Sequence, residues 1–347
     1  MFQPAHDYGK IHGMETSEVT LAATDHRLEL AKSWLQSLDI EQQSDLCGVA
    51  GDASFRRYFR LKIDGQSRIL MDAPPPGENV RPFIDITRRL HSANLHAPEI
   101  FYSDPGNGFL LLEDLGDDLY RDVLNGPAVD TLPNGLFEIL KTMALDVNTD
   151  DLPQYSAAML KTEIDLFPDW YLDQHRSAVS RRSFDALWGN FCSLIIDSAL
   201  DQPACFVHHD FHSSNLLRTP ADGVGIIDFQ DAVRGPVSYD FISLIWDRYI
   251  SWPRQQIEDW MEDTRQMLVP AIGQNIEPLE WQRYCDLMGL QRNLKVVGIF
   301  ARLYYRDGKN GYIEMIPRFY NYITDTLRRY PEFAGLLDFM EQDSCVP

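Results

Sequence analysis

The sequence predicts an α+β protein with two lobes, a small antiparallel-sheet lobe followed by a larger, mostly helical one. Three observations predict this class. Residues 48–113 contain short apolar runs separated by turns, the chain after 114 has mainly helical periodicity, and a β-rich interruption at 204–229 falls within the helical part. The 347 residues, 44% of them hydrophobic, suffice to bury a substantial core. A cleft between two such lobes is where we expect a ligand to bind.

The elements of the first lobe follow from the spacing of apolar residues. Helical periodicity occurs in 25–38 and 80–95, and β alternation occurs in 55–63, with Phe55 on the apolar side. The turn "DGQS" and the run "RILMDAP" complete a hairpin, and "APEIFY" and "GFLLLED" predict two further strands. Residues 1–22 lack periodic apolar residues and are predicted to be a disordered extension.

The second lobe is predicted at 114–347, after a first lobe at 23–113. Its helical stretches are 117–147, 156–176, 181–201, 238–272 and 278–328. Within the interruption, "CFVHHD" and "GVGIIDFQD" predict two short strands, each followed by a carboxylate. Rigid strand ends are suitable positions for the side chains of a catalytic site.

Composition and charge exclude several classes of function. The formal net charge of −21, from 52 acidic and 31 basic side chains, opposes binding of nucleic acid or of an anionic membrane. The five cysteines are scattered without CxxC pairs, which argues against a disulfide framework and a thiolate zinc site and favours a cytoplasmic protein. No signal peptide or membrane span is recognisable. We expect a monomer or a weak dimer.

The spacing of three polar residues indicates phosphoryl transfer. Asp210 and Asp228 follow the two short strands, and Asn215 lies five residues after Asp210. One carboxylate can orient a hydroxyl, while a carboxylate and an amide oxygen can hold Mg²⁺. The alternative is that Asp210 and Asn215 only cap turns.

Several blocks that occur in one order then resemble a known family. "FVHHDFHSSNLL" and "GIIDFQDAVRGPVSYDFISLI" resemble the aminoglycoside phosphotransferase and choline kinase family, which has a protein-kinase-like fold. "GDASFRRYFRL", "FLLLEDLGDDL" and "DWYL" look most like its bacterial cell-wall sugar kinases, which act on the anomeric hydroxyl of N-acetylmuramate and N-acetylglucosamine. The resemblance implies ATP, Mg²⁺ and an amino sugar. The alternatives are another hydroxyl acceptor (an aminoglycoside, choline, homoserine or a protein serine) and a nucleotide-binding regulatory module without catalysis.

The resemblance also implies roles for individual residues. Asp210 would be the base that orients the sugar hydroxyl, and Asn215 and Asp228 would bind magnesium. The other implied positions are a phosphate-covering loop with Gly51, a hinge where the backbone of Glu113 and Leu115 would pair with adenine, and structural support from His208 and Asp240.

The chain departs from the kinase pattern at the third strand. A lysine is expected there, but "RILMDAP" offers Leu70 and Met71 instead. Arg56, Arg57 and Arg60 on the preceding strand are therefore the candidates to supply positive charge to the phosphates, and Asp72 stands where a cation is expected.

The histidines and the substrate residues carry less specific signals. His208 and His212 do not form a metal cage, because the segment reads as strand and loop and no other ligand cluster completes a shell. The role of His209 stays open. Substrate contacts are predicted for His212, Asp231, Arg234, Asp169 and Arg306. The alternative for His212 is a hydrogen bond that stabilises the loop, and the alternative for Arg306 is a solvated helix terminus.

Overall fold

The structure is a computed structural model, described here for residues 25–49, 55–124, 134–176, 181–219 and 223–342. The predicted disordered extension 1–22 and the predicted phosphate-covering Gly51 lie outside the described residues. Within the described part of the chain, no helix combines the length and the apolar character needed to cross a bilayer.

The first lobe contains a five-stranded antiparallel sheet, which confirms the α+β prediction. The strand order is β1-β2-β3-β5-β4. The strands are β1 Cys47–Val49, β2 Arg57–Ile63, β3 Gln66–Asp72, β4 Ile100–Asp104 and β5 Phe109–Glu113. Asp64 and Gly65 both have positive φ, as the two-residue turn between β2 and β3 requires. Phe55 precedes β2 and is 80% exposed, so its predicted place on the apolar side is wrong.

Two helices cover the two faces of this sheet. On one face, α1 (His26–Ser37) places Leu35 in a small core with Leu70 and Phe109. On the other face, α2 (Arg81–Ser92) joins a larger core that continues into the helical lobe. The ring of Phe83 on α2 lies 4.7 Å from that of Phe229, the residue after Asp228. The first lobe is thereby packed directly against the predicted site.

The second lobe is mainly helical and carries two small two-stranded sheets. The helices are α3 Tyr120–Leu124, α4 Asn134–Asp146, α5 Ala157–Ile164, a π-helical segment Phe167–His175, α6 Arg181–Leu200, α7 Tyr239–Ile245, α8 Arg254–Ala271, α9 Pro278–Tyr305, α10 Ile316–Leu327 and α11 Ala334–Gln342. Short 3₁₀ turns occur at Ser213–Asn215, Asn310–Met315 and Pro331–Phe333. The antiparallel pairs are β6 Ala204–Val207 with β9 Val233–Pro236, and β7 Leu216–Arg218 with β8 Val224–Ile226.

Two helices predicted as continuous are interrupted. The stretch 238–272 divides into α7 and α8, with Pro253 at the start of α8, where the missing amide hydrogen is tolerated. The stretch 278–328 divides after α9, where Gly308 has a φ of 68°. Such a left-handed residue ends a helix.

Candidate active site

The loop after β6 presents Asp210, and Asp240 at the start of α7 anchors it. The Asp240 carboxylate accepts hydrogen bonds from the backbone amides of His208 (2.6 Å) and His209 (3.1 Å). His209 has a φ of 81°, a left-handed conformation that is costly for a residue with a side chain. The two bonds from the loop to Asp240 offset that cost and turn the chain so that Asp210 is exposed to solvent. Burial raises the pKa of Asp240 to about 7, although both amide bonds lower it.

The imidazole of His208 links this loop to the strand end before Asp228. His208 is fully buried, and its Nε2 lies 3.0 Å from the carbonyl oxygen of Ile227. The backbone amide of Asp210 donates to Nδ1 at 3.3 Å, so Nε2 carries the proton of a neutral ring. Burial lowers the pKa of His208 to about 4. His208 therefore holds the segments bearing the two acidic residues together without adding charge.

Asn215 and Asp228 lie next to each other beside Asp210. The Asn215 amide nitrogen donates to the carbonyl oxygen of Asp210 at 3.0 Å and lies 3.5 Å from Oδ2 of Asp228. Asp228 is exposed, has a φ of 63°, and accepts a hydrogen bond from Gln230 at 2.9 Å. Since the Asn215 nitrogen is occupied, its Oδ1 is the atom left for a cation.

The charges around Asp228 suit a divalent cation bound mainly by a ligand's own oxygens. Burial raises the pKa of Asp228, the charges of Asp210 and Asp231 raise it further, and Arg56 lowers it. An added cation would relieve this repulsion. The described residues contain no group of three or more His, Cys, Asp or Glu side chains able to hold a metal. One carboxylate and one amide oxygen fit Mg²⁺, which usually keeps few protein ligands and shares phosphates or water.

Asp210 is an ionised carboxylate in this site. Desolvation by the surrounding protein raises the pKa of Asp210, but the charge of Lys295, the neighbouring His212 and His209 rings and the charge of Arg248 together lower it by more. Because Asp210 is exposed and ionised, it can accept a hydrogen bond from the hydroxyl group of a ligand.

A buried charged cluster next to this loop was not anticipated from the sequence. Nζ of Lys295, on α9, lies 3.1 Å from Oε1 of Glu163, 2.9 Å from Nε2 of His209 and 3.2 Å from the hydroxyl of Tyr239. Tyr155 also donates to Glu163. We call these five residues the Lys295 cluster. Desolvation raises the pKa of Glu163, but Lys295 and His209 reverse this and hold it well below its usual range.

The sequence does contain a signal for this cluster. Helix α9 includes "LQRNLK", in which Gln291, Arg292, Asn293 and Lys295 are all buried. These four polar residues lie between the apolar runs "LMGL" and "VVGIFA", which indicates a buried polar network, because such residues are normally exposed. The partners could not be read from the same pattern.

Two of the three arginines predicted to replace the missing lysine are paired with acidic residues of the first lobe or of the segment directly after it. Arg57 pairs with Asp72 at 2.6 Å and also with Asp25. Arg60 binds Asp114 at 2.7 Å and Asp117 at 2.8 Å. The unexpected carboxylate on the third strand is thus neutralised within the sheet.

Arg56 is the arginine whose charge acts on the carboxylate of Asp228. Its guanidinium lies 2.9 Å from the carboxylate of Glu78, and both side chains are 12% exposed. Its charge also lowers the pKa of Asp228. Of the three predicted arginines, Arg56 is therefore the one whose charge acts on Asp228.

The predicted hinge residues lie at the end of β5 and just after it. The Glu113 amide donates to the carbonyl of Glu99 at 2.8 Å, and its carboxylate lies 3.1 Å from Nε2 of His96. Leu115 is buried against Gly225, where an added Cβ would come within 2.7 Å of the leucine side chain. Gly225 therefore permits close contact between the hinge and the β7–β8 hairpin.

The structure brings two of the predicted substrate residues to the site. His212 is 3% exposed, its amide donates to the carbonyl of Asp210 at 3.0 Å, and its Nε2 lies 2.6 Å from Nη2 of Arg248. Asp231 is exposed and its charge raises the pKa of Asp228.

The other three predicted substrate residues lie on other elements of the second lobe. Arg234, on β9, is exposed and donates to Gln154 at 3.3 Å. Asp169 is exposed on the π-helical segment. Arg306 follows α9 and pairs with the adjacent Asp307 at 2.7 Å. It is 11 residues beyond Lys295, or about 16 Å along a helix, so the structure does not bring it to Asp210.

Comparisons with known proteins identify the family of this chain and its relatives. Residues 45–273 match the model of the family described as "Phosphotransferase enzyme family". An N-acetylmuramate/N-acetylglucosamine kinase of Pseudomonas putida is 43% identical over 293 residues, which cover 84% of this chain and 86% of that protein. The kinase of the same name from Pseudomonas aeruginosa is 41% identical over 296 residues, covering 84% and 87%.

Among solved structures, the chain is similar to choline kinase LicA from Streptococcus pneumoniae. The TM-score is 0.62 at 13% identity, and the match covers 88% of this chain and 100% of LicA. Another structure of LicA, in complex with AMP, matches with a TM-score of 0.59. At this identity the likeness concerns the fold, and it confirms the predicted protein-kinase-like architecture.

Proposed function

The chain belongs to the phosphotransferase enzyme family, and from this premise we propose that it transfers the γ-phosphoryl group of ATP to the anomeric hydroxyl of N-acetylmuramate and N-acetylglucosamine. Membership confirms the predicted enzyme class. The choice of sugars is supported by relatives that carry this name and are 41–43% identical over most of both chains.

The observation that carries the proposal is the arrangement of three side chains. The exposed, ionised carboxylate of Asp210 lies beside the carboxylate of Asp228 and the amide of Asn215. Nδ2 of Asn215 and Oδ2 of Asp228 are 3.5 Å apart. Asp240 and His208 hold the loop that carries Asp210. Positioning and electrostatic stabilisation supply most of the catalysis in phosphoryl transfer. A rigid arrangement of this kind meets that requirement.

Asp210 acts on the acceptor hydroxyl. It accepts a hydrogen bond from the sugar hydroxyl and orients the oxygen for attack on the γ-phosphorus. As the new oxygen–phosphorus bond forms, the bond from phosphorus to the bridging oxygen of ADP breaks, and the hydroxyl proton passes to Asp210 and then to solvent. The products are the sugar phosphate and ADP.

Asn215, Asp228 and Arg56 act on the phosphates. Oδ1 of Asn215 and the carboxylate of Asp228 would hold a magnesium ion, which supplies positive charge to the phosphate oxygens. Arg56, held by Glu78, adds a second positive charge to the phosphates. It thereby replaces the third-strand lysine that this chain lacks. The hinge backbone at Glu113 and Leu115 would receive the adenine.

The proposal is tested by supplying Mg·ATP with each of five acceptors and weighing the products by mass spectrometry. The acceptors are N-acetylmuramate, N-acetylglucosamine, choline, homoserine and an aminoglycoside. We expect phosphorylation of the two sugars, with loss of their reducing ends, because a phosphate on the anomeric oxygen blocks ring opening. Turnover of choline, homoserine or the aminoglycoside alone would contradict the choice of substrate, and ATP binding without turnover would favour a regulatory module.

The variant Asp210→Asn tests the role of the base. Asparagine preserves the size of the side chain but cannot accept the proton, so we expect kcat to fall by about 10²- to 10⁴-fold. Binding of Mg·ATP, measured by calorimetry, should change little, since the proposed metal ligands are untouched. Full activity in this variant would contradict the role given to Asp210.

A further inference from the structure

Arg248 lies in the segment between α7 and α8, and hydrogen bonds tie this segment to the catalytic loop. The neighbouring Asp247 carboxylate accepts the backbone amides of Ser213 at 2.9 Å and Tyr249 at 2.6 Å. Arg318 donates to the carbonyl oxygen of Arg248 at 2.7 Å. The backbone of Arg248 is thus held on both sides, next to the 3₁₀ turn that leads to the metal side of the site.

Among the residues that the structure describes, the guanidinium of Arg248 has no acidic partner. The side chain is half-buried, and within the described part of the chain no carboxylate lies within 4.0 Å of it. Its hydrogen-bond partner is Nε2 of His212, at 2.6 Å. The guanidinium also lies over the ring of Tyr249, 5.9 Å from its centre. A half-buried charge that contacts two uncharged rings has lost hydration without gaining a counter-charge within ion-pair distance, which is unfavourable unless a ligand supplies one.

The hydrogen-bond chemistry of His212 adds a second unsatisfied donor. A guanidinium can only donate, so Nε2 of His212 accepts and Nδ1 carries the ring proton. His212 is 3% exposed, and its Nδ1 has no hydrogen-bond partner. Burial, followed by the charge of Arg248, holds the pKa of His212 well below its usual range and keeps the ring neutral. Arg248 and His212 together have more donors than the described residues have acceptors for them.

The contacts of Arg248 lie on the part of the loop that carries Asp210. Arg248 is among the charges that lower the pKa of Asp210, which orients the hydroxyl. The contacts agree with this, because Arg248 lies 2.6 Å from Nε2 of His212, whose backbone amide donates to the carbonyl oxygen of Asp210 at 3.0 Å. Through His212, Arg248 is therefore linked to the residue that would contact the sugar.

We propose that Arg248, oriented by His212, binds the carboxylate of N-acetylmuramate. This sugar differs from N-acetylglucosamine by a lactyl ether that ends in a carboxylate, and a guanidinium binds a carboxylate through two parallel hydrogen bonds. The inference rests on the proposed function, because it assumes that both sugars are phosphorylated. It assigns to Arg248 the selection between them.

The test compares kcat/KM for the two sugars in the variant Arg248→Gln. Loss of a charged hydrogen-bonded pair should lower kcat/KM for N-acetylmuramate by about 10- to 100-fold. The value for N-acetylglucosamine should change by less than about threefold. The matched control is Arg328→Gln, which removes an exposed arginine paired with Glu341 and should leave both values unchanged.

A modified substrate makes the test independent of the folding of the variant. N-acetylmuramate in which the lactyl carboxylate is a carboxamide should lose the same factor with the unaltered protein and should show no further loss with Arg248→Gln. Equal losses for both sugars, or full activity on the carboxamide, would overturn the role of Arg248 while leaving the proposed function intact. Failure of the unaltered protein to phosphorylate either sugar would overturn both.

Discussion

Two basic regions adjoin the loop that carries Asp210, and they differ in how their charges are satisfied. In the Lys295 cluster, the ammonium group contacts a carboxylate, an imidazole and a phenol, all within 3.2 Å. Arg248 contacts the ring of His212 and has no carboxylate within ion-pair distance in the described residues. Both charges lower the pKa of Asp210.

This difference separates charged residues that stabilise the fold from charged residues that bind a ligand. A buried charge with a complete set of partners belongs to the folded scaffold, and removing it leaves its partners unpaired. A charge that lacks a counter-charge in the free protein gains one only when an anion binds. Proximity to the catalytic residue does not distinguish the two groups, but the number of their partners does.

The largest expected effect is on stability when the Lys295 cluster is broken. In Lys295→Met, the carboxylate of Glu163 loses its closest buried cation, and we expect the free energy of unfolding to fall by about 3–5 kcal/mol. Chemical denaturation measures this loss. The double variant Glu163→Gln/Lys295→Met, which removes both charges, should recover part of it. A change of less than about 1 kcal/mol in the single variant would show that the cluster does not support the fold.

The next effect concerns the neutral histidine that links the two acidic segments. Because the folded-state pKa of His208 is about 4, against about 6.5 when unfolded, only the unfolded chain gains the proton between these values. Stability from this group is fully present above pH 6.5 and is lost as the pH falls towards 4. By pH 5 the loss should reach about 2 kcal/mol.

Unfolding measured at several pH values checks this prediction. His212 should contribute in the same direction, since its pKa is also lowered. The variant His208→Gln should show a shallower decline between pH 6.5 and 5 than the unaltered protein, whatever its stability at pH 7. Parallel pH profiles would contradict the assignment of a neutral, buried His208.

The two acidic residues of the site that directly follow strands could be predicted from the sequence. Asp210 and Asp228 each end an apolar run, and local spacing is sufficient to read such runs as strands with polar residues at their ends. The same local reasoning, with the order of the motifs, predicted the two-lobe fold. It failed at helix interruptions, such as that before Pro253, where tertiary hydrogen bonds of Asp247 compete with helical continuation.

The Lys295 cluster and Arg248 could not be predicted, because long-range packing creates them. Lys295 is 132 residues from Glu163 and 86 from His209, and Arg248 is 36 from His212. Sequence periodicity reports which face of an element is buried, but not which element covers it. For the same reason the sequence offered three arginines for the phosphates, and only their partners separate Arg56 from Arg57 and Arg60.

The smallest expected effect on stability is that of removing Arg248, and it is the sharpest test of the comparison. Arg248→Met makes the same change from cation to thioether as Lys295→Met, but it leaves no carboxylate unpaired. The guanidinium pays a desolvation cost without a counter-charge, so its removal should change the free energy of unfolding by less than about 1 kcal/mol, in either direction.

Denaturation of the two methionine variants under identical conditions provides the measurement. A loss in Arg248→Met as large as that in Lys295→Met would mean that Arg248 supports the fold, and the distinction between the two regions would disappear. A small change, combined with selective loss of activity on the carboxylate-bearing sugar, is the behaviour of a residue kept for its ligand. Binding residues often leave a protein less stable than it would otherwise be, because their charges are satisfied only in the complex.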